Sequence, residues 1–388
     1  MIYKLKPNRV LRTYLGGSRI DALRGKIAED GFFPEEWVAS VTAAQNVPGA
    51  DVIPPGISVI DGGKDDGRPL TDLLREHPEY LNNECHIAQK SRNNGNIKTL
   101  DNPENDKSGE KNADFPILLK LLDSAERLVV QAHPTVEFAK KNFRSRYGKA
   151  ECWYVLSANE DAYVYLGFKK GITREEWKRC FEDQDIEAML SLLHKIPVKP
   201  GDVWYVDGGV PHAIGGGCLL AELQEPTDLM VVPEKRTPSG REIPEKRLHG
   251  GLGFEKMFDC FEYDGYTIDE LRSRYYRHIS NDSSDCTTVI GRDLTDKFVM
   301  YDCRTENSTL ELCPEQTRSK PSAAVVISGT GNITDNERNL TRLSPGDALF
   351  IPSGERVKMD GTLRILIAFP GNSSSKKNCT QRIIICAK

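Results

Sequence analysis

The stretch PGDVWYVDGGVPH, residues 200–212, decides the fold because a later stretch repeats its pattern. PGDALFIPSGERV, residues 345–357, has the same Pro-Gly-Asp, then four mainly apolar residues and a turn. Such an internal repeat is typical of two copies of one structural unit, here a β-barrel. Aligned without gaps, His212 falls opposite Val357. We therefore expect that one copy keeps a polar site residue that the other has lost.

The segments around the first copy have the character of strands. They are short, rich in β-branched and aromatic residues and bounded by turns, which predicts strands. From about Tyr266 the same character returns, so a mainly β protein is expected. The predicted strands near the first copy lie at 128–133, 152–156, 162–168 and 203–206.

One helical segment interrupts this pattern. Thr173 followed by Glu176 predicts a capping box, and an apolar stripe at helical spacing runs from Trp177 to Leu193. Asp183 and Asp185 divide the stripe in two. We predict a small helical insert at about 173–194 that borders the site and excludes water.

Composition excludes several classes of function. A formal net charge of -5 argues against binding to nucleic acid or to a membrane surface. No run of 18 apolar residues exists, and the N-terminal MIYKLKPNRV lacks the apolar core of a signal peptide. We expect a cytoplasmic protein whose ten cysteines are buried free thiols. The polar tract at 92–113 is interpreted as a surface loop.

The triplet Gln131-Ala-His133 indicates a metal site. On a strand, alternate residues share a face, so the amide and the imidazole point the same way. Each buried polar group needs a partner, at a cost of about 1–3 kcal/mol without one. A metal ion would serve both, although two separately satisfied polar residues at a barrel mouth would leave the same pattern.

Glu151 and His212 complete this set. Glu151 opens an apolar strand, and His212 follows a Gly-Gly-Val-Pro turn. Each alone is more often structural. Together with the triplet they form a nitrogen and oxygen donor set that suits one zinc ion with a position left open for substrate, the catalytic pattern.

Other residues are candidates for supporting roles. Lys149 shares the face of Glu151 if the strand extends back, and Asp228 is a second candidate for chemistry. Glu222 and Gln224 share one strand face, where they either hydrogen-bond the ligating histidines or lie in solvent. A basic cluster suits a phosphate group, but a solvated loop without a ligand explains it equally well. It comprises Lys235, Arg236, Arg241, Lys246 and Arg247.

These segments together resemble the type I mannose-6-phosphate isomerases, in particular the short bacterial form. The similarity covers most of the chain, and its Q-x-H, E-C-W and P-H-A-I-G blocks are specific. The segments that carry it are YLGGSRI, FPEEWVAS, FPILLKLLD, QAHP, KAECWYVL, GDVWYVDGGVPHAIGGG, AELQEPTDL and GLGFEKMFDCFEYD.

The resemblance implies a zinc enzyme that interconverts mannose 6-phosphate and fructose 6-phosphate. It implies two cupin (jelly-roll) barrels: a metal-bearing domain at 1–265 with the insert, and a degenerate domain at 266–388 without metal ligands. A monomer or homodimer with a small sugar phosphate as its ligand is expected. The implied metal ligands are Gln131, His133, Glu151 and His212, and the implied catalytic residues are Lys149 and Asp228.

One departure from the family pattern concerns the reaction. Family members usually carry an arginine four residues after the aspartate, where this chain has Val232. A valine cannot stabilise developing negative charge, and Arg236 is the nearest arginine downstream. Three alternatives therefore stay open: a sugar-phosphate-binding relative without turnover, a cupin redox enzyme using iron, and a structural barrel.

Overall fold

A computed structural model describes residues 1–45, 53–81, 114–279, 285–312 and 320–371. The tract at 92–113, predicted as a surface loop, lies outside these residues. The protein is mainly β, as predicted from the sequence, and the strands within these described ranges form three sheets.

The strands are β1 (Tyr3–Leu5), β2 (Arg9–Val10), β3 (Glu35–Val38), β4 (Leu118–Ser124), β5 (Glu151–Ala158), β6 (Tyr163–Phe168), β7 (Leu193–Pro197), β8 (Asp202–Val206), β9 (His212–Ile214), β10 (Cys218–Gln224), β11 (Tyr276–His278), β12 (Cys286–Ile290), β13 (Phe298–Leu312), β14 (Ser322–Thr334), β15 (Leu340–Leu343), β16 (Ala348–Ile351) and β17 (Val357–Pro370). The α-helices are α1 (Ser18–Leu23), α2 (Leu70–Glu76), α3 (Val136–Asn142), α4 (Arg174–Asp183), α5 (Ile186–Ser191), α6 (Glu245–Leu248), α7 (Phe254–Phe258) and α8 (Ile268–Tyr275).

Two sheets carry the predicted metal ligands Glu151 and His212, in β5 and β9, and the third consists mainly of C-terminal strands. The site sheet has the order β11-β8-β5-β10-β4-β3-β2, and a smaller sheet has the order β7-β6-β9. The C-terminal sheet runs β1-β16-β14-β17-β13-β12, with β15 paired to β14. One large cluster of buried apolar side chains contains members of all three sheets, and a second cluster fills the C-terminal sheet.

The repeated Pro-Gly-Asp motif has the same local structure in both copies. Gly201 and Gly346 both adopt positive φ, 93° and 82°, which glycine tolerates best. The carboxylate of Asp202 accepts a hydrogen bond from the backbone N–H of Lys199 at 3.0 Å. Asp347 does the same with Ser344 at 2.9 Å. The repeat predicted from the sequence is thus a repeated turn before β8 and before β16.

Hydrogen bonding crosses the predicted domain boundary at 265 in both directions. Strand β1 pairs with β16 of the C-terminal sheet, and β11 pairs with β8 of the site sheet. The division into domains at 1–265 and 266–388 stays a prediction.

Two local predictions are wrong. Residues 128–133 do not form a regular strand, although Gln131 and Ala132 each make an isolated bridge. The backbone groups of this segment bond to different partners: Gln131 to His212, Ala132 to Val231 and the N–H of Val130 to the carboxylate of Glu234. Two cysteines, Cys286 and Cys303, pair as a disulfide between β12 and β13, whereas the other four described cysteines are buried and free as expected.

The predicted helical insert is present as α4 and α5, divided near Gln184. Thr173 caps α4 by accepting from the backbone N–H of Glu176. Buried Trp177 and Phe181 pack with the segments around Val130 and Val231. The insert therefore supports the wall of the site from behind, and no residue of it lines the two cavities described below. No helix among the described residues is long and apolar enough to cross a membrane.

Candidate metal centre

Three side chains of the kinds that bind metal ions lie close together in the protein interior. Nε2 of His133 lies 3.1 Å from Oε2 of Glu151, and Nε2 of His212 lies 3.3 Å from Oε1 of the same carboxylate. Their ligand atoms all lie within 4.8 Å of one another. Each side chain is at most 2% exposed. The structure thus brings together three of the four residues predicted to hold the metal.

The backbone positions these side chains through one bridge and one glycine turn. Gln131 and His212 exchange both backbone hydrogen bonds at 2.9 Å, which sets the two segments side by side. Gly209 donates its N–H to the carbonyl of His133 at 2.7 Å. A Cβ at Gly208 would lie 2.7 Å from Cα of Thr135, so only glycine fits this approach. The sequence Gly-Gly-Val-Pro-His therefore brings His212 back against His133.

Both imidazoles have one ring nitrogen held by a backbone carbonyl. Nδ1 of His133 lies 2.9 Å from the carbonyl of Leu229, and Nδ1 of His212 lies 2.9 Å from that of Val210. In each neutral ring Nδ1 must be the donor, so Nε2 carries a lone pair. Such outer hydrogen bonds fix the orientation of metal-binding histidines.

The lone pairs face a carboxylate, an arrangement that requires a cation. Burial lowers the pKa of His133 to about 3 with the help of Lys149, and burial also lowers the pKa of His212. Burial alone would raise the pKa of Glu151, but the Lys149 ammonium holds it well below its usual range. Nε2 of His212 has no hydrogen-bond partner in the described part of the chain. The acceptors therefore fit a divalent metal ion.

The ammonium of Lys149 lies close to this position. Its Nζ is 2.6 Å from Nε2 of His133 and 2.8 Å from Oε2 of Glu151. Strand β5 begins at Glu151 and does not extend back to Lys149, so the two residues do not share a strand face, but their side chains are in contact. Trp153 also donates to the carboxylate, from Nε1 to Oε1 of Glu151 at 2.9 Å.

Gln131, the fourth predicted ligand, lies at the boundary between this cluster and a cavity. Its side chain lines the cavity together with Lys149, Val129 and Asp228. Gln131 and Lys149 therefore border this cavity, whereas His133, Glu151 and His212 do not line it.

Asp228 is held by a residue that sequence reasoning missed. Both of its oxygens accept from the guanidinium of Arg12, at 3.0 and 3.1 Å, and the backbone N–H of Gln45 donates at 2.9 Å. Burial opposes ionisation of Asp228, but Arg12 and Lys120 prevail and lower its pKa to about 2. A carboxylate with this pKa is a weak base at neutral pH.

Two further predictions about supporting residues are corrected. Glu222 and Gln224 are both buried, so the solvated-face alternative is wrong. Neither is the hydrogen-bond partner of a ligating histidine, because backbone carbonyls fill that role. Glu222 instead accepts from Lys120 at 3.3 Å, and Gln224 donates to the carbonyls of Glu225 and Thr227.

The basic cluster separates into two groups. Lys235 lies over the ring of Phe181 and Arg241 over that of Phe32, while exposed Arg236 pairs with Glu242. These three cations have local partners. Lys246 and Arg247 line a second cavity, which also contains Asp228 and Val232.

Two known proteins with sequences similar to this chain have names from one enzyme family. The chain is 34% identical over 318 residues to the mannose-6-phosphate isomerase of Streptococcus mutans, covering 81% of this chain and 84% of that protein. It is 41% identical over 114 residues to a probable mannose-6-phosphate isomerase of Bacillus subtilis, covering 29% of this chain and 35% of that protein. No family model matches.

Solved structures share the fold. The mannose 6-phosphate isomerase from Bacillus subtilis superposes with a TM-score of 0.67 at 22% identity, over 95% of this chain and 99% of that one. A zinc-bound mannose 6-phosphate isomerase superposes with a TM-score of 0.64 at 14% identity, over 96% and 100%. With the identity to the Streptococcus mutans enzyme over most of both chains, the protein belongs to the mannose-6-phosphate isomerases.

Proposed function

We propose that this protein interconverts mannose 6-phosphate and fructose 6-phosphate, with one zinc ion bound by Gln131, His133, Glu151 and His212. The observation that carries the proposal is the convergence of two Nε2 lone pairs on an ionised carboxylate, 3.1 and 3.3 Å from its oxygens. Bound zinc would supply a Lewis acid beside O1 and O2 of the sugar.

The proposed reaction is a proton shift through an enediol. A base removes the proton from C2 of open-chain mannose 6-phosphate and returns it to C1, while the hydroxyl proton of O2 is transferred to O1. Lys149 is the proposed proton carrier because its amine lies at the boundary of the ligand cluster and the cavity. Asp228 has a pKa of about 2, so we assign it to positioning.

The proposed binding surface for the phosphate group of the sugar lies beside this cavity. Lys246 and Arg247 line the adjoining cavity and share Asp228 with the first one. The phosphate at one end of the substrate would contact these cationic side chains. The carbonyl at the other end would face the proposed metal ligands. Two described cavities that meet at Asp228 suit a ligand with two polar ends.

A relative without turnover is the second candidate, and Val232 favours it. Val232 is 3% exposed and packs with the helical insert, so no guanidinium extends into the cavity from this position. Iron in place of zinc remains an alternative for the metal, although an amide ligand does not suit the usual iron sites.

Turnover of mannose 6-phosphate by zinc-loaded protein tests the proposal. We expect release of fructose 6-phosphate, detected by a coupled assay, and no reaction with unphosphorylated mannose. Metal analysis of the protein as purified distinguishes zinc from iron. Binding of the sugar phosphate without turnover would favour the second candidate.

A further inference from the structure

Six charged side chains line the cavity beside the cluster of His133, Glu151 and His212. Moving each charge out of water costs several kcal/mol, and apolar replacements of buried ion pairs are often neutral or stabilising. Such a cluster is therefore weak evidence for stability and better evidence for a ligand. Its members are Arg12, Glu35, Lys120, Lys149, Glu222 and Asp228.

Arg12 is the most firmly held of these charges. It donates from Nη1 and Nη2 to the two oxygens of Asp228. Its guanidinium lies over the ring of buried Trp37, with 5.0 Å from Cζ to the ring centroid. The side chain is 4% exposed. Arg12 therefore presents a fixed planar cation to the cavity.

The donors of Arg12 are not all used by the protein. Two of its five N–H groups bond to Asp228. Nε lies 3.0 Å from Oε1 of Glu35, but in a direction that does not make a hydrogen bond. Glu35 is already satisfied by Tyr14 at 2.8 Å and Trp37 at 2.7 Å. Arg12 keeps donor capacity for a ligand in the cavity.

The neighbouring cations have other partners. Lys120 donates to Glu222, and Lys149 contacts the ligand cluster. Arg236, the nearest arginine after Val232, is 62% exposed and paired. Arg12 is the only arginine among the described residues that line this cavity.

We infer that Arg12 contacts the substrate and stabilises the negative charge that develops on its oxygens during the reaction, a role that rests on the proposed isomerase function. Asp228 and Glu35 act as positioning residues that hold its guanidinium in place. A preorganised charged donor contributes about 10²–10³ in rate. The reaction then needs no guanidinium at position 232, because Arg12 lines the cavity from the segment that follows β2.

The test compares Arg12→Met and Arg12→Lys with Arg24→Met. Arg24 also pairs with a buried carboxylate, Glu36 at 2.9 Å, but does not line this cavity. We expect Arg12→Met to lower kcat by about 10²–10³ with KM changed less than about tenfold. Arg12→Lys should recover part of kcat, and Arg24→Met should lower Tm with little change in kcat.

A pair of inhibitors separates charge stabilisation from folding. 5-Phosphoarabinonate carries a carboxylate in place of the enediolate, whereas arabinitol 5-phosphate is uncharged at that end. Arg12→Met should weaken binding of the first by about 10²-fold and of the second little, as expected when one charged contact is lost. Equal loss for both inhibitors, or a kcat like that of Arg24→Met, would overturn the inference. Wild-type protein that neither turns over mannose 6-phosphate nor binds either compound would instead overturn the proposed function and this role with it.

Discussion

The ammonium of Lys149 lies 2.6 Å from Nε2 of His133, on the lone pair that a metal ion would use. The same ammonium lies 2.8 Å from Oε2 of Glu151. A lysine and a divalent cation cannot share these acceptors, because like charges repel strongly in a buried site. We therefore expect a metal ion and the Lys149 ammonium to compete for these acceptors; Lys149 also lines the cavity.

Lys149→Met should separate zinc binding from turnover. Without the competing ammonium, zinc affinity should rise by about tenfold, equivalent to about 1.4 kcal/mol. Loss of the proton carrier should lower kcat by about 10²–10⁴. Competition titrations with a fluorescent chelator and steady-state kinetics measure the two effects. Lys120→Met is the matched control, since Lys120 is also buried in the cavity wall but bonds to Glu222; weaker zinc binding in Lys149→Met would contradict the competition.

Trp153→Phe should weaken zinc binding through the ligand carboxylate. Nε1 of Trp153 donates to Glu151 at 2.9 Å and fixes the orientation of that carboxylate. Loss of such an outer contact typically costs about 10–100-fold in metal affinity. Trp204→Phe is the control, because Trp204 pairs with Trp153 across β5 and β8 and its buried Nε1 has no partner in the described chain. Equal zinc affinities for the two variants would show that the hydrogen bond is without effect.

Asp228→Asn should reduce stability in a manner that depends on pH. The pKa of Asp228 is about 2 in the folded protein, below its unfolded value of about 3.9. The folded state therefore binds fewer protons, so this contribution is full above about pH 5 and declines as the pH falls. We expect the unfolding free energy of the variant to be lower by about 3 kcal/mol at pH 7.

Denaturant unfolding of wild type and variant at a series of pH values measures this difference. It should shrink by about 1 kcal/mol between pH 5 and pH 3. A difference that stays constant over this range would mean that the Arg12–Asp228 ion pair is not its source.

Val232→Arg should not raise activity. Val232 packs with the helical insert at 3% exposure, and Arg12 already supplies a guanidinium to the cavity. Burying a new charge should lower Tm, because an unpaired buried cation is costly. Val232→Met is the uncharged control for side-chain size. An increase in kcat of tenfold or more in the arginine variant, about 1.4 kcal/mol, would indicate instead that the wild-type site lacks a group it needs.

The proximity of His133, Glu151 and His212 was predictable because its signals are local. Gln131 and His133 stand in one triplet, and Glu151 opens a strand. The glycine turn at 208–209 explains the place of His212 in structural terms, since it fits against the backbone beside His133. The repeated Pro-Gly-Asp turns before β8 and β16 were equally visible in the sequence.

The charged wall of the cavity was not predictable from the sequence. Arg12 and Asp228 are 216 residues apart, and Lys120 and Glu222 are 102 apart. Their pairing depends on the strand order of the site sheet, which no local pattern specifies. Glu222 and Gln224 looked like a solvated face for the same reason: alternation identifies a shared face of β10 but not what covers it.

Activity during a zinc titration of metal-free protein is the decisive measurement for a zinc-dependent isomerase. We expect mannose 6-phosphate turnover to rise with added zinc and to level off at one equivalent per chain, while Glu151→Gln binds zinc at least about 100-fold more weakly and stays inactive. Turnover that is independent of zinc, or undiminished zinc binding by Glu151→Gln, would contradict this expectation.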